Sequence, residues 1–436
     1  MSLKKNIFHN SIANIFQKIV RILEQLLLVP FFIASWGASY YGEWLTLTII
    51  PSILVFSDLG FGSAAANGFV LRYASGDKQG AADILNTGFR IVSYAVILGI
   101  VLSIAVLFSG TYWGWFEKSL IPANDAVKAV SFMMAARLIS FYNQLFSANF
   151  IAARKADLGI NLLSINSILS ILAGAAVLFL GGYIITYALW QFIVSVIFNL
   201  YYWWRADSIL DLKKEYKGKY EKAFAKEIFS KGFGYMLSPI WQSVLFQGTT
   251  FVVRLTLGPV AVAVFNTVRT LSRSINQLCS IIGGSVFPEL QFELGKENWL
   301  KGQKIYLYSI RSSFVLSLLG IIFLGFFGLP LYNIWTHKVL TPTPLMWFIF
   351  LVGILVNAVW WTSSVVFRAM NNPYQLSISG VIAAFISIAA SYFLCLYWGL
   401  TGAAIGSLIF EIIMSVYILP LSCKMMNLSI SKILKF

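Results

Sequence analysis

Residues 10–30 read NSIANIFQKIVRILEQLLLVP. Asn10, Asn14, Gln17, Lys18, Arg21, Glu24 and Gln25 recur at steps of three and four, so a helix carries them on one face. Ile, Phe, Val and Leu fill the other face. Counted from residue 11, Arg21 lies about 15 Å along the axis at 1.5 Å per residue. At that depth a water-filled cavity is a better home for it than the membrane surface. Glu24 follows Arg21 by three residues and is placed to pair with it. A structural ion pair between helices is the alternative.

The rest of the chain makes the same demand. It is 58% hydrophobic and only 11% charged, against about 25% charged in soluble domains. Yet Lys18, Arg21, Arg137, Arg254, Arg269, Arg273 and Arg311 all fall inside apolar stretches. Each costs roughly 3 kcal/mol if it faces lipid at a helix centre, so several together oppose insertion by about 10 kcal/mol or more. A cationic, watery interior removes that cost and suggests an anionic passenger.

Twelve spans are expected, near 11–35, 42–70, 88–109, 127–152, 159–180, 182–204, 232–255, 259–290, 306–329, 345–369, 375–397 and 400–421. The reading is an all-α polytopic membrane protein, with two six-helix lobes related by a pseudo-two-fold axis along the membrane normal. The lobes are 1–205 and 232–436, joined by a cytoplasmic linker at 206–231 (ADSILDLKKEYKGKYEKAFAKEIFSK) that reads as a solvated or interfacial helix. Lys and Arg are biased to one side. Lys4, Lys5, Arg72, Lys78, Arg90, Arg154, Lys155, the linker cluster, Lys296, Lys301, Lys304, Arg368, Lys424, Lys432 and Lys435 stand against Lys118, Lys128 and Lys338. An asymmetry of about sevenfold puts both termini in the cytoplasm. It also makes the net charge of +15 a topology signal rather than a nucleic-acid footprint. The first apolar segment carries Lys18, Arg21 and Glu24 and ends in no small-residue cleavage site, so it does not read as a cleavable signal.

Four landmarks recur at a nearly constant offset. Gly37 and Gly258 are 221 residues apart, Gly62 and Gly284 are 222 apart, the turns 154–157 and 371–374 are 217 apart, and Gly182 and Gly399 are 217 apart. With an even number of spans in each half, duplication gives a parallel repeat.

Other spans carry polar stripes. Asn266, Arg269, Arg273, Asn276 and Ser280 share one face of the eighth span, where two arginines one turn apart repel unless water or an anion lies between them. Arg137, Ser140, Gln144 and Ser147 share a face of the fourth, for which a cavity and a helix-bridging role are both open. Arg254 and Arg311 sit near span ends, where snorkelling accounts for them. Three acids lie within spans: Glu24, Asp58 and Glu411. Glu411 has no cation close in sequence, and a charged acid there is costly, so it reads as a site for a coupling proton or sodium ion or as an acid held neutral by a neighbour. Asp58, in FSDLG, is a second such candidate or the anchor of a helix bend. Trp113, Trp115, Trp203, Trp204, Trp335 and Trp398 fall near span ends as an interfacial belt.

Enzyme chemistry finds no foothold. There is no phosphate-binding GxxxxGK[ST] loop, no nucleophile elbow and no HExxH, and Cys279, Cys395, Cys423, His9 and His337 are too dispersed for a metal site or a disulfide framework. No cofactor is expected beyond a coupling H+ or Na+.

The patterns GAxxYGxW at Gly37–Trp44, SDLGFGSA at Ser57–Ala64, RYASGD at Arg72–Asp77 and GLTGAAIG at Gly399–Gly406 carry a resemblance. The chain resembles, over essentially its whole length, the Wzx-type polysaccharide flippases of the multidrug/oligosaccharidyl-lipid/polysaccharide exporter superfamily. The resemblance implies a transporter of the bacterial inner membrane, in O-antigen and lipopolysaccharide biosynthesis. Its cargo would be an undecaprenyl-pyrophosphate-linked oligosaccharide, moved from the cytoplasmic to the periplasmic leaflet by alternating access. It also implies coupling to an ion gradient and work alongside a polysaccharide polymerase and a chain-length regulator. The expected substrate residues are Lys18, Arg21, Gln25, Arg137, Arg269, Arg273 and Asn276, and the expected ion-coupling residues are Glu24, Asp58 and Glu411. Two rivals are a cation-drug exporter of the same superfamily, whose cavity should be acidic, and a membrane glycan polymerase or ligase, which should carry a sizeable periplasmic loop. The outside loops here, near 110–126 and 330–344, are short.

Overall fold

The computed structural model describes every residue except 1–2, 53, 55–59, 211, 296–297, 371–373 and 435–436. Asp58 therefore lies outside the described residues, as do most of the turn at 371–374 and part of the 57–64 motif.

Among the described residues the secondary structure is helical. The long helices are α1 (Leu3–Leu47), α2 (Phe61–Ser75), α3 (Lys78–Tyr112), α4 (Ala123–Ser140), α5 (Asn143–Ala152), α6 (Ala156–Phe179), α7 (Ile184–Asp207), α8 (Lys222–Leu257), α9 (Pro259–Gly295), α10 (Trp299–Phe326), α11 (Pro344–Ser363) and α12 (Tyr374–Met425). Helices α1 and α12 each hold two rods, broken at Gly37 (φ 72°, ψ 171°) and Gly399 (φ 55°, ψ −135°). Side chains with a Cβ avoid such backbone, so glycine marks where the chain reverses. Helices α4 and α5 continue one another. Among the described residues, with the second half of α1 and α2 counted together as one, the rods are consistent with a twelve-helix arrangement.

Seven described segments are long and apolar enough to cross a membrane by themselves. The rods outside them are α2, which is short, α4–α5, and α8 and α9, whose apolar runs are interrupted by polar and basic side chains. A polar stripe lowers mean hydropathy without stopping a helix from spanning when that stripe meets protein or water.

The chain divides into two compact units: residues 1–35 with 43–240, and residues 36–42 with 241–436. In the first, α7 packs along α4, α5 and α6, and α3 lies against α2 and α4. Its core includes Phe146, Phe150, Phe198 and Tyr202. In the second, α11 packs against α9, α10 and α12, around Trp241, Trp360 and Phe410.

The stretch before α8 departs from the sequence expectation. Of the linker read as a helix at 206–231, residues 206–207, 212–215 and 222–231 are helical and 216–221 are not. After a short helix at Leu212–Glu215, residues 216–221 run without helical structure along α3. The Asp83 carboxylate, 6% exposed, accepts from the Lys219 N–H at 2.6 Å and from Gln79 at 2.9 Å. Gln79 also donates to the Lys217 carbonyl at 3.2 Å, Asn86 donates to the Gly218 carbonyl, and Thr87, fully buried, accepts from the Glu221 N–H at 3.1 Å. A Cβ on residue 218 would fall inside contact distance of the Ala82 carbonyl, so glycine is what lets the strap lie this close. Just beyond, Glu227 pairs with Arg72 and Lys231, both at 2.8 Å. Residues 216–221 need no helix because α3 satisfies the strap's main-chain groups from outside.

Losing a buried, charged acceptor costs about 2 kcal/mol. Asp83→Ala is therefore expected to free the strap, speeding trypsin cleavage after Lys217 or Lys219 by about 30-fold under native conditions. An unchanged cleavage rate in that variant would show that these hydrogen bonds do not hold the segment.

A cavity in the second unit and an acid in the first

The second unit contains a cavity of about 1020 Å³, open solvent at its mouth included. It is walled by α8 (Trp241, Leu245, Phe246, Thr249), α9 (Arg269, Arg273, Asn276, Ser280), α11 (Phe350, Gly353, Asn357, Trp360) and the second rod of α12 (Ala404, Ser407, Glu411). Four of the five residues singled out on α9 by spacing thus line one space, together with Glu411.

The two arginines are treated differently. Arg269 is held by protein. One terminal nitrogen donates to the Phe246 carbonyl at 3.1 Å and the Thr249 hydroxyl at 2.8 Å; the other donates to the Thr250 hydroxyl at 2.7 Å and to Asn266 Oδ1. Its guanidinium also lies 5.1 Å from the Phe265 ring centre. Arg273 makes no hydrogen bond to any described residue. Its guanidinium stacks on Phe246, 3.7 Å from the ring centre. Stacking fixes the plane and leaves the N–H edges, which lie in that plane, free to meet an anion. Arg273 still repels Arg269, and a collar of hydroxyl, amide and carbonyl oxygens on α8 and its own helix steadies the Arg269 charge.

Glu411 is not isolated either. One of its oxygens accepts from Asn357 Nδ2 at 2.9 Å and from Trp360 Nε1 at 2.6 Å. Arg273 acts on it electrostatically without a direct ion pair. Asn357, Trp360, Thr249 and Thr250 were missed in the sequence. They lie on other helices, and no spacing rule ties them to Arg269 or Glu411.

The remaining candidates lie in the first unit. Arg21 and Arg137 are exposed, Gln25 is exposed with a partner, and Lys18 is half-buried with a partner. Ser140, on the Arg137 stripe, bonds back to the Arg137 carbonyl at 2.6 Å. Glu24 is half-buried, hydrogen-bonds Ser167 and feels the charge of Arg21, and its own charge acts on the Tyr187 hydroxyl. Tyr187 is packed by Phe32 at 5.0 Å and Trp44 at 5.2 Å between ring centres. Arg311, read as snorkelling, has a protein partner. It sits twelve residues into α10, half-buried, and donates to the Lys432 carbonyl at 3.1 Å.

Helical rods in two units, with ionic groups set inside them, define an all-helical polytopic membrane protein, and solved structures share that fold. An inward-facing multidrug resistance MATE family transporter of the MOP superfamily is 16% identical, with 94% of each chain covered and a TM-score of 0.73. An outward-facing structure of such a transporter is also 16% identical, covering 99% of this chain and 97% of its own, at 0.68. A MOP superfamily transporter from Pyrococcus furiosus, described as having a binding pocket of reversed polarity, is 15% identical with the same coverage and TM-score. No curated protein sequence matches. The family model for polysaccharide biosynthesis proteins matches residues 3–291. The chain belongs to that family, and family and fold together bear out its resemblance to the Wzx-type flippases of the MOP superfamily.

Proposed function

We propose that this protein is a flippase for a polyprenyl-pyrophosphate-linked oligosaccharide repeat unit. It would carry the unit from the cytoplasmic to the periplasmic leaflet of the inner membrane, with both termini in the cytoplasm. Residues 1–205 and 232–436 would serve as its two lobes. The observation that carries the reading is Arg273, a guanidinium in a cavity of a membrane-spanning unit with its hydrogen-bonding edges unused, in a chain of the polysaccharide biosynthesis family. Charge-assisted, bidentate bonds to phosphate are about twice as strong as neutral ones. An inside-negative potential favours anion export by roughly 2.3 kcal/mol per charge per 100 mV.

In this reading Arg273 and Asn276 contact the anion, and Arg269 keeps the α8–α9 corner charged and in place. Lys18, Arg21, Gln25 and Arg137 would serve the same cargo from the first unit. Glu24 and Glu411 are the described candidates for the coupling ion, and Asp58 is a third. A polysaccharide polymerase and a chain-length regulator would receive the product. Deleting the gene is expected to stop surface polysaccharide and to trap lipid-linked repeat units where only a cytoplasmic-side probe reaches them. Accumulation on the periplasmic side would instead favour a polymerase or ligase. Glu411 in the cavity also favours a second reading, a cation-drug exporter. Raised drug sensitivity with normal polysaccharide in the deletion strain would select it.

A further inference from the structure

The cavity in the second unit places one carboxylate and one uncommitted guanidinium in the same space. Its titratable groups can be enumerated by wall. Helix α8 contributes none, α9 contributes Arg269 and Arg273, α11 contributes none, and α12 contributes Glu411. Among the described lining residues Glu411 is the sole carboxylate, and no histidine, lysine, cysteine or tyrosine stands with it. The four hydrogen bonds of Arg269 go to protein oxygens. Arg273 is therefore the cation with N–H edges open to a ligand, and Glu411 is the group whose charge changes with proton uptake.

We infer that a proton on Glu411 and an anion on Arg273 occupy this cavity together, each tightening the other. The inference rests on the reading of Arg273 as an anion contact and adds the sign of its coupling to protons. The two ligands do not compete for an atom. The anion takes the in-plane edges of the stacked guanidinium, and the proton takes a carboxylate oxygen. While Glu411 is ionised, it offsets the field of Arg273 and repels an incoming anion. When it is neutral, both effects disappear. Linkage is reciprocal, so whatever proton binding does for the anion, the anion does for the proton. A cation exporter whose substrate replaces a proton on a carboxylate would show the opposite sign. Asn357 and Trp360 donate to Glu411 at 2.9 and 2.6 Å, which keeps the carboxyl in place in either state.

The test uses the purified full-length chain in lipid nanodiscs. The probe is UDP-glucose, a diphosphate diester like the expected cargo, whose charge is fixed between about pH 5.5 and about pH 8.5. Equilibrium binding in wild type is expected to tighten by about tenfold from the upper to the lower pH, within the ordinary range of coupling between two sites. Glu411→Gln keeps an acceptor for Asn357 and Trp360. It is expected to bind at every pH as wild type does at the lower one. Arg273→Ala is expected to lose binding throughout. Binding that depends on Arg273 but is flat in pH, or weakens on acidification, would overturn the inference while leaving the anion site standing. So would a wild-type slope retained in Glu411→Gln. Failure of wild type and Glu411→Gln to bind the probe at any pH would instead overturn the anion site, and the inference with it.

Discussion

Arg273→Ala is expected to reach the membrane at wild-type abundance and to leave surface polysaccharide at background, whereas Arg269→Ala is expected to lower the amount of folded protein. The two residues are one turn apart on α9, and from spacing alone they are equivalent. Their surroundings separate them. Removing Arg273 uncovers one face of Phe246 and breaks no hydrogen bond to a described residue, so stability should barely change. It does delete a fork of donors to an anion, and truncating one partner of a desolvated, hydrogen-bonded charge pair costs on the order of 3 kcal/mol or more, a hundredfold in binding. Removing Arg269 strips donors from the Phe246 carbonyl, Thr249, Thr250 and Asn266 at once. Thr249 and Thr250 are 1% and 2% exposed, so water does not readily replace the lost donors. The Phe246 carbonyl and Asn266 Oδ1 can still accept from Thr250, at 2.8 and 3.2 Å, but the two threonine hydroxyls lose their donor, at about 1–3 kcal/mol each. Arg273→Lys keeps the charge but loses the planar fork and the stacking, and intermediate polysaccharide is expected. Immunoblots of membranes alongside surface-polysaccharide gels read both axes. A stable, inactive Arg269→Ala beside an unstable Arg273→Ala would reverse the assignment of roles.

How much of this was legible in the chain follows from what each signal encodes. A step of three and four fixes a helix face, so the polar stripe of α9 could be read, and its Arg269, Arg273 and Asn276 do line one cavity. The same step says nothing about the helix opposite. Thr249 and Thr250 hold the Arg269 guanidinium, and nothing in their own stretch of sequence marks them. Glu411 looked isolated because its partners, Asn357, Trp360 and Arg273, lie 51 or more residues away. Turn glycines were more legible, since positive φ is a local demand. Gly37 and Gly258, paired by offset, both adopt it, at 72° and 86°. At the later pair the residue is Gly181, at 72°, rather than Gly182. The non-helical strap at 216–221 was not legible because Asp83, Asn86 and Thr87 sit where α3 begins and pass there for ordinary helix residues, while they serve as acceptors and donors for a stretch of backbone brought to them by the fold.

The motif GASYYGEW at 37–44 yields the severest expected loss of folding, and its two glycines should fail for different reasons. Gly37 has open space around a Cβ, but its backbone, at φ 72° and ψ 171°, lies in a region that is essentially glycine-only. Gly37→Ala should therefore cost about 1–3 kcal/mol of strain. Gly42 is buried, and a Cβ added there would run into the carbonyl carbon and oxygen of Pro259, the first residue of α9. Small residues let membrane helices approach backbone to backbone, and a methyl group there has to push two main chains apart. Pro259 has little freedom to retreat, because its own φ is fixed by the ring and Gly258 before it already makes the turn at φ 86°. Overpacking ordinarily costs about 1–3 kcal/mol when side chains give way. With backbone on both sides Gly42→Val should exceed that and rank among the rare losses above about 4 kcal/mol. The expected result is little monodisperse protein on detergent size-exclusion chromatography, with Gly42→Ala less severe and Gly37→Ala milder still. Because the obstacle is a main-chain carbonyl, trimming the side chain at 259 should not help. Recovery of folded protein in Gly42→Val combined with Pro259→Ala would mean that the proline ring, and not the backbone of α9, sets the limit on what residue 42 can be.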